Sequence, residues 1–163
     1  MSEVEAIMQE TDLANEGSQF LTFTLQDEEF GIEILRVQEI KGLSRITPIP
    51  NMPEYIRGVM NLRGTVVPIL DLRAKFAMPQ SDYNQFTVII VVTVGEKVLG
   101  LVVDAVSDVL NVADENIESA PEIGEDADTS FMTGIAKSGD RLITLLNMDE
   151  LVDIDTSAIS AST

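Results

Sequence analysis

The side chains of this chain that could do chemistry are almost all carboxylates. Its 163 residues include 28 Asp and Glu but only 10 Lys and Arg, and neither cysteine nor histidine. The absence of cysteine excludes disulfides, thiolate nucleophiles and Cys-ligated metals. The absence of histidine excludes a Ser–His triad and a His-ligated zinc site. Catalysis would have to rest on Asp, Glu, Lys, Arg, Ser, Thr or Tyr. With so many carboxylates, a close acidic pair arises by chance and carries almost no weight.

Three local patterns begin like known chemical sites and then depart from them. Residues 126–130 start like a calcium loop, but Phe131 stands where the loop needs Gly and Lys137 where it needs Glu. Gly95-Glu96-Lys97 lacks the spacing and hydroxyl of a phosphate loop. Asp104 follows a strand, as a phosphoacceptor does, but the chain lacks alternating β–α units. We therefore expect no enzyme, no metal and no cofactor, with an acidic-pair enzyme as the alternative from another class.

The charge is strongly negative overall and locally positive. A formal net charge of −18 opposes binding to nucleic acid or directly to an anionic membrane. Seven of the ten basic residues lie between Arg36 and Lys75 with only three acids, so this window carries +4. Such a patch can steer one partner, or it can be side chains scattered around a barrel. No signal peptide or 20-residue apolar stretch is visible, so we expect a cytoplasmic protein.

One constellation within the basic window suits binding better than catalysis. Asn61 and Gly64 fit the first and last positions of a turn, which would present the Arg63 guanidinium outward. Arg63 would then meet a partner, hold the turn by pairing with a nearby carboxylate, or do both. The carboxylates within reach along the chain are Glu39 and Asp71.

Two neighbouring segments frame this turn. Gly58 precedes it, and we expect that position to need a positive φ or a close backbone approach. Val37 and Ile40 fit a strand pattern and suit the core better than a contact surface, whereas Glu39 falls out of phase with them and is expected to be exposed.

The elements that must position these residues are mostly strands. Runs of β-branched residues and turn signals predict strands over Phe20–Leu25, from Phe30, and over Thr65–Leu70, Phe86–Val94, Val98–Val103 and Leu142–Leu146. The stretch Phe86–Val94 is typical of a strand buried on both faces. Short helices are predicted at Glu54–Arg57, Asp71–Phe76 and Asn147–Val152, from a preceding proline or an N-cap residue.

The two halves of the chain resemble each other. Phe30–Ile40 aligns with Leu99–Val109 at an offset of 69, so that Glu39 meets Asp108. Tyr55–Leu72 aligns with Phe131–Met148 at an offset of 76, and the extra length falls in the acidic loop 111–130. A nearly constant offset in the same order indicates a duplication. We expect two similar β lobes, each too small to bury its strands well alone.

The segment Pro53–Arg73 (PEYIRGVMNLRGTVVPILDLR) resembles the central signature of the CheW family, the coupling proteins of bacterial chemotaxis. Further matching segments are Phe20–Leu25, Glu29–Ile32, Val37–Ile40 and Leu101–Leu110. The resemblance implies a mainly β fold: two similar five-stranded SH3-like barrel lobes around a shared hydrophobic core, with a few short helices. We expect one domain over 18–153, with lobes at 18–81 and 82–153, strand exchange between them, and flexible tails at 1–17 and 155–163.

The resemblance also implies a function. Members of the family are non-enzymatic adaptors that bridge the cytoplasmic tips of chemoreceptors and the regulatory domain of the histidine kinase CheA, at membrane-associated and often polar arrays in which further copies form rings. Receptor-contact positions of the family carry over to Val37, Glu39, Arg63, Val88 and Val109, and a kinase-facing position to Gly58. An adaptor of the same family that serves another chemosensory system, such as one controlling pili, is the alternative reading.

Overall fold

Stretches rich in β-branched residues form eleven strands in the computed structural model, which describes residues 18–79, 82–119 and 132–151. The expected tails and most of the acidic loop lie outside these residues. The strands are β1 (Ser18–Leu25), β2 (Glu28–Glu33), β3 (Val37–Gly42), β4 (Ile56–Leu62), β5 (Thr65–Asp71), β6 (Val88–Val94), β7 (Lys97–Val103), β8 (Ala105–Val112), β9 (Ile117–Ser119), β10 (Met132–Ser138) and β11 (Arg141–Leu146).

Two short helices and two single 3₁₀ turns complete the described elements. Helix α1 (Leu72–Lys75) begins after Asp71, whose carboxylate accepts the Ala74 N–H at 3.3 Å as an N-cap. Helix α2 (Met148–Leu151) begins after Asn147, whose side-chain oxygen accepts the Asp149 N–H at 3.1 Å. The 3₁₀ turns are Ile34–Arg36 and Asp114–Asn116. Among the described residues, no helix is long or apolar enough to cross a bilayer.

The strands form two sheets, and each sheet combines strands from both halves of the sequence. The five-stranded sheet has the order β3-β6-β7-β5-β4, and the six-stranded sheet the order β8-β1-β2-β11-β10-β9. β5 pairs with β7 and β2 with β11 in parallel, whereas the other neighbouring strands are antiparallel. Strands β1 and β2 therefore complete the sheet of the second half, and β6 and β7 complete the sheet of the first.

The internal repeat is visible in these elements. An offset of 76 places β4 on β10 and α1 on α2 residue for residue, and an offset of 69 places the start of β2 on the start of β7. The two parallel pairings are also equivalent to each other, because β2 corresponds to β7 and β11 corresponds to β5. The predicted mainly β class with two similar units is confirmed. The six-stranded sheet exceeds the expected five strands because β9 pairs with β10, where the other sheet has only the isolated bridge Thr47–Val59.

A shared core lies between the sheets, and a smaller core lies against each sheet's other face. In β6, Ile90 and Val92 belong to the shared core, whereas Ile89 and Val91 belong to the core of the five-stranded sheet. This strand is buried on both faces, as its sequence predicts. The shared core draws on both sheets through Leu21, Phe23, Leu25, Phe30, Ile32, Leu70, Leu99, Leu101, Val103, Val109 and Leu146. Burial of this apolar area holds the two sheets together.

Two local predictions were wrong. Glu54–Arg57 does not form a helix: Glu54 and Tyr55 lie in a turn closed by the Ile56 N–H bond to the Pro53 carbonyl at 2.9 Å, and β4 starts at Ile56. Pairing with β5 along the whole of β4 overrides the helix-start signal of Pro53. The predicted strand from Phe86 begins two residues later, at Val88, because residues 84–87 form a hydrogen-bonded turn.

Candidate functional site

The edge strands of the two sheets flank the shared core. β3 ends the five-stranded sheet and β8 ends the six-stranded sheet, and the repeat makes these two strands equivalent. Val37 of β3, Val88 of the adjacent β6 and Val106 of β8 are half-buried and pack against the shared core from its rim. Val109 of β8 is only 9% exposed and belongs to the core itself. The rim therefore presents partly exposed apolar side chains from both sheets.

Glu39 lies on the other face of β3 from these apolar residues. Ile40 pairs with Ile90, which faces the shared core, whereas Glu39 pairs with Val91, which faces the core of the five-stranded sheet. A register shift between Val37 and Glu39 allows this local arrangement. The out-of-phase position predicted for Glu39 is confirmed, but its side chain is only 28% exposed because it is covered by an arginine.

That arginine is Arg63, and the β4–β5 turn holds it in place. The Asn61 side-chain oxygen accepts the Gly64 N–H at 2.8 Å, and Arg63 has a φ of 50°. Arg63 Nη2 lies 2.5 Å from Glu39 Oε2 while the arginine side chain remains 69% exposed. The hydrogen bond from Arg63 lowers the pKa of Glu39. Arg63 thus makes the predicted internal pair and still exposes most of its guanidinium to solvent.

Gly58 is buried rather than exposed, and both reasons predicted for a glycine there hold. Its φ is 143°, and a Cβ at this position would lie 2.1 Å from the Thr47 carbonyl oxygen. Thr47 and Val59 exchange two backbone hydrogen bonds of 2.8 and 2.9 Å beside it. Gly58 therefore allows the proline-rich segment before β4 to pack directly on that strand.

Most of the basic window is neutralised by internal contacts. Arg36, Arg57, Arg63 and Arg73 each form an ion pair with a carboxylate. Lys75 lies over the Tyr55 ring, 4.3 Å from its centroid. Lys41 and Arg45 have no ion pair with any residue that the structure describes. Among the described residues, the basic side chains of this window without an ion pair are therefore Lys41 and Arg45, along and just after β3, and Lys75, whose ammonium keeps its charge beside Tyr55.

Asp104 is held as a structural ion pair. Arg73 Nε lies 2.8 Å from Asp104 Oδ1, Arg73 Nη2 also contacts the carboxylate, and the Gln26 N–H donates to it at 2.7 Å. Burial alone would raise the pKa of Asp104, but these hydrogen bonds lower it below its usual value. Across residues 18–79, 82–119 and 132–151, no group of three or more acidic residues is placed to hold a metal ion.

Two clusters of polar side chains were not predicted from the sequence. Arg141 bonds to both Glu29 and Asp108, and Asp71 accepts hydrogen bonds from Arg57 and Tyr83. The partners of Arg141 are 112 and 33 residues away along the chain, so local patterns carry no signal for them. The repeat did contain one clue, because Asp108 is the counterpart of Glu39 and so occupies a position that already pairs with an arginine.

Comparison with known proteins identifies relatives over nearly the whole chain. The family model described as the CheW-like domain matches residues 19–155. The chain is 46% identical over 143 residues to the chemotaxis protein CheW of Klebsiella aerogenes, covering 88% of this chain and 86% of that protein. It is 41% identical to the chemotaxis protein CheW of Rhizobium meliloti, covering 85% and 90%. The crystal structure of the scaffolding protein TtCheW from Thermoanaerobacter tengcongensis superposes with a TM-score of 0.80 at 33% identity, covering 85% and 94%.

Proposed function

The chain belongs to the CheW family, and we propose that it is a non-enzymatic adaptor that couples chemoreceptors to the histidine kinase CheA in the cytoplasm. The observation that carries this proposal is the match to chemotaxis proteins over more than four-fifths of the chain. The edge strand β3 adds an exposed arginine paired with Glu39 on one face and half-buried apolar side chains on the other. Residues 18–153 act as one unit in this proposal, because each sheet needs strands from both halves.

The receptor-binding surface combines an apolar strip with a charged rim. Val37 and Val88 offer partly exposed aliphatic surface, which suits the apolar face of a helical hairpin. Arg63, paired with Glu39 on the other face of the edge strand β3, retains N–H donors with which it bonds a receptor carboxylate or carbonyl. Glu39 holds the Arg63 guanidinium in position, and Val109 supports the strip from within the core.

The kinase-binding surface is the segment that Gly58 supports. Thr47 and the prolines that follow it lie against β4 only because no side chain stands at residue 58. Gly58 therefore acts through the shape of this segment, not by touching the kinase. The regulatory domain of CheA packs against it, and further copies of the adaptor join the same array.

Binding two partners at once gives the adaptor its effect without any chemistry of its own. A kinase tethered beside the receptor tip experiences a high local concentration of that tip. A receptor that changes conformation then shifts the kinase between its active and inactive populations. The protein itself stays in the cytoplasm and reaches the membrane-associated array through its partners.

The test is a reconstitution of kinase control. A purified receptor signalling fragment, a CheA-type kinase and this protein are mixed, and kinase autophosphorylation is measured with and without the adaptor. We expect the adaptor to be required for receptor control of the kinase. An unchanged rate together with no co-eluting complex would contradict the proposal for this receptor–kinase pair.

The variant Arg63→Glu separates contact from structure. Loss of a charge-assisted hydrogen bond predicts receptor binding weaker by about 1–3 kcal/mol. Glu39→Gln is the matched control, because it releases Arg63 without reversing its charge. Unchanged receptor affinity of a folded Arg63→Glu protein would show that Arg63 only holds the turn.

A further inference from the structure

Phe86 is an exposed aromatic residue presented by a hydrogen-bonded turn. Its side chain is 62% exposed. The Thr87 N–H bonds to the Asn84 carbonyl at 3.1 Å, and the Asn84 N–H bonds to the Thr87 hydroxyl at 2.9 Å. The Phe86 N–H itself donates to the Asn84 side-chain oxygen at 2.7 Å. With Thr87 buried, this turn fixes the backbone that carries Phe86 and lowers the entropy lost when a partner covers the ring.

The turn lies at one end of the proposed receptor-binding surface. Val88 follows Phe86 by two residues and pairs with Gly42, the last residue of β3. A Cβ on Gly42 would meet nothing within 4 Å, so the surface over Gly42, beside Val88, is open. The six residues of β3 span about 20 Å, the length of about four helical turns. A helix laid along β3 from Val37 therefore reaches the Phe86 turn.

The charge around this end of β3 indicates what kind of helix fits. Lys41 precedes Gly42 on the other face of the edge strand β3, and Arg45 follows three residues later. Neither has an ion-pair partner in the parts of the chain that the structure describes. Their charge stands out on a protein of net charge −18. A complementary partner carries carboxylates beside an apolar side chain.

We propose that Phe86 is a specificity-determining contact for the receptor, extending the apolar strip of Val37 and Val88 beyond the end of β3. The inference rests on the proposed adaptor function and deepens it. The occupant is a helix of the receptor's signalling hairpin with an apolar residue that packs on the Phe86 ring. Because β3 is an edge strand, acidic residues on the flank of that helix reach Lys41 and Arg45 around its edge. Receptors without this apolar residue bind the adaptor less tightly.

The experiment measures binding of a purified receptor signalling fragment to the full-length protein by titration calorimetry. Phe86→Ser is expected to weaken binding about tenfold, because aromatic residues at an interface contribute disproportionately to affinity. Phe86→Leu, which keeps an apolar side chain, restores most of it. Leu142→Ser is the matched control, since Leu142 is also 62% exposed but lies on β11 of the other sheet. Thermal unfolding of all three variants should match that of the wild type.

The possible outcomes separate this inference from the proposed function. If Arg63→Glu loses receptor binding but Phe86→Ser binds like the wild type, the role of Phe86 is refuted and the adaptor function stands. Equal losses in Phe86→Ser and Leu142→Ser would refute the specific role of this turn. Loss of kinase binding in Phe86→Ser with receptor affinity intact would also overturn it. A wild-type protein that binds no receptor fragment would overturn both proposals.

Discussion

Two arginine–carboxylate sites occupy equivalent places in the two sheets and differ in how completely the arginine is used. Glu39 of β3 and Asp108 of β8 are counterparts in the repeat, and each pairs with an arginine from a hairpin of its own sheet, at the β4–β5 turn or at the start of β11. The two arginines themselves are not counterparts, because the offset of 76 places Arg63 on Gly139. Arg63 makes one ion pair and is 69% exposed. Arg141 bonds both oxygens of Glu29 at 2.6 and 3.1 Å and both oxygens of Asp108 at 3.0 and 3.1 Å.

The second site extends into the sheet as a polar network. The Thr22 hydroxyl is fully buried and lies 2.5 Å from Asp108 Oδ1, whereas Val91, its counterpart in the repeat, packs in an apolar core. Hydrogen bonds from Arg141 lower the pKa of Asp108, and those to Glu29 and Asp108 raise the pKa of Arg141. Arg141 therefore makes four hydrogen bonds through Nε, Nη1 and Nη2, whereas Arg63 bonds Glu39 through Nη2 alone. The two equivalent carboxylates thus differ in their surroundings: Asp108 lies in a network of several hydrogen bonds, whereas Glu39 has a single, largely exposed arginine partner.

The largest loss of fold stability is expected from substitution of two glycines that are equivalent in the repeat. Gly58 and Gly134 are 76 residues apart, and a Cβ would lie 2.1 Å from the Thr47 oxygen at one and 2.3 Å from the Glu118 oxygen at the other. Only Gly58 also has a positive φ. Alanine at either position should destabilise the fold by more than about 2 kcal/mol, and Gly58→Ala by more than Gly134→Ala.

Urea unfolding followed by circular dichroism measures this difference. Gly42→Ala is the control, because a Cβ there meets no atom within 4 Å and its φ is ordinary. It should change stability by less than about 0.5 kcal/mol. If Gly58→Ala were as stable as Gly42→Ala, the close approach of Thr47 to β4 would not constrain the fold.

The next largest loss of stability is expected from substitution of Arg141, and comparison with Arg63 tests the two arginines directly. Arg141→Ala leaves Glu29 and Asp108 close together without their cation, so we expect a loss of about 1–3 kcal/mol, a range that allows for partial solvent exposure. Arg63→Ala should leave the free energy of unfolding nearly unchanged, because the Arg63 side chain is largely exposed. Denaturant unfolding of both variants, with Arg141→Lys as the charge-preserving control, compares them. Equal stability losses would erase the distinction between a structural and a recognition arginine.

The sequence predicted the parts of this comparison that local patterns encode. The contact of Asn61 with Gly64, the outward Arg63 and its pairing with Glu39 follow from turn chemistry and from a short list of nearby carboxylates. The turn itself lies one residue later than predicted, with Arg63 and Gly64 at its centre between the paired Leu62 and Thr65. The family resemblance and the repeat supplied the mainly β class. The resemblance implied strand exchange between the lobes, but which strands are exchanged could not be read from the sequence, because strand pairing depends on contacts between distant residues. The Arg141 network was hidden for the same reason.

A smaller loss of stability is expected from substitution of the ion pairs that connect each short helix to the rest of the fold. Arg73 of α1 pairs with Asp104, and its counterpart in α2, Asp149, pairs with Arg36. The first pair is largely buried, with 16% of the Arg73 side chain exposed, whereas the second spans 3.6 Å and Asp149 is 68% exposed. Arg73→Ala should therefore cost about 1–2 kcal/mol and Arg36→Ala less than about 0.5 kcal/mol in urea unfolding. The reverse order would mean that burial does not set the strength of these pairs.

The helix N-caps allow the finest test, because Asp71 is charged and its counterpart Asn147 is neutral. Tyr83 donates to Asp71 Oδ2 at 2.8 Å, and Arg57 Nε lies 3.2 Å from the same oxygen. Burial, together with the hydrogen bond and repulsion from Asp71, raises the pKa of Tyr83 to about 12. The stability that this adds is complete below the unfolded tyrosine pKa of about 10 and is lost as the pH rises through about 12.

The chain has two tyrosines and no tryptophan, so phenolate absorbance in a Tyr55→Phe variant reports Tyr83 alone. The folded variant should titrate near pH 12, and the same protein in urea near about 10. Adding Asp71→Asn should lower the folded midpoint, because the carboxylate that disfavours the phenolate is gone while burial remains. A folded midpoint near 10 would mean that Tyr83 is solvated. The Tyr83 hydroxyl would then not be held by the Asp71 carboxylate, and the charged N-cap of α1 would have no tyrosine partner to distinguish it from the neutral N-cap of α2.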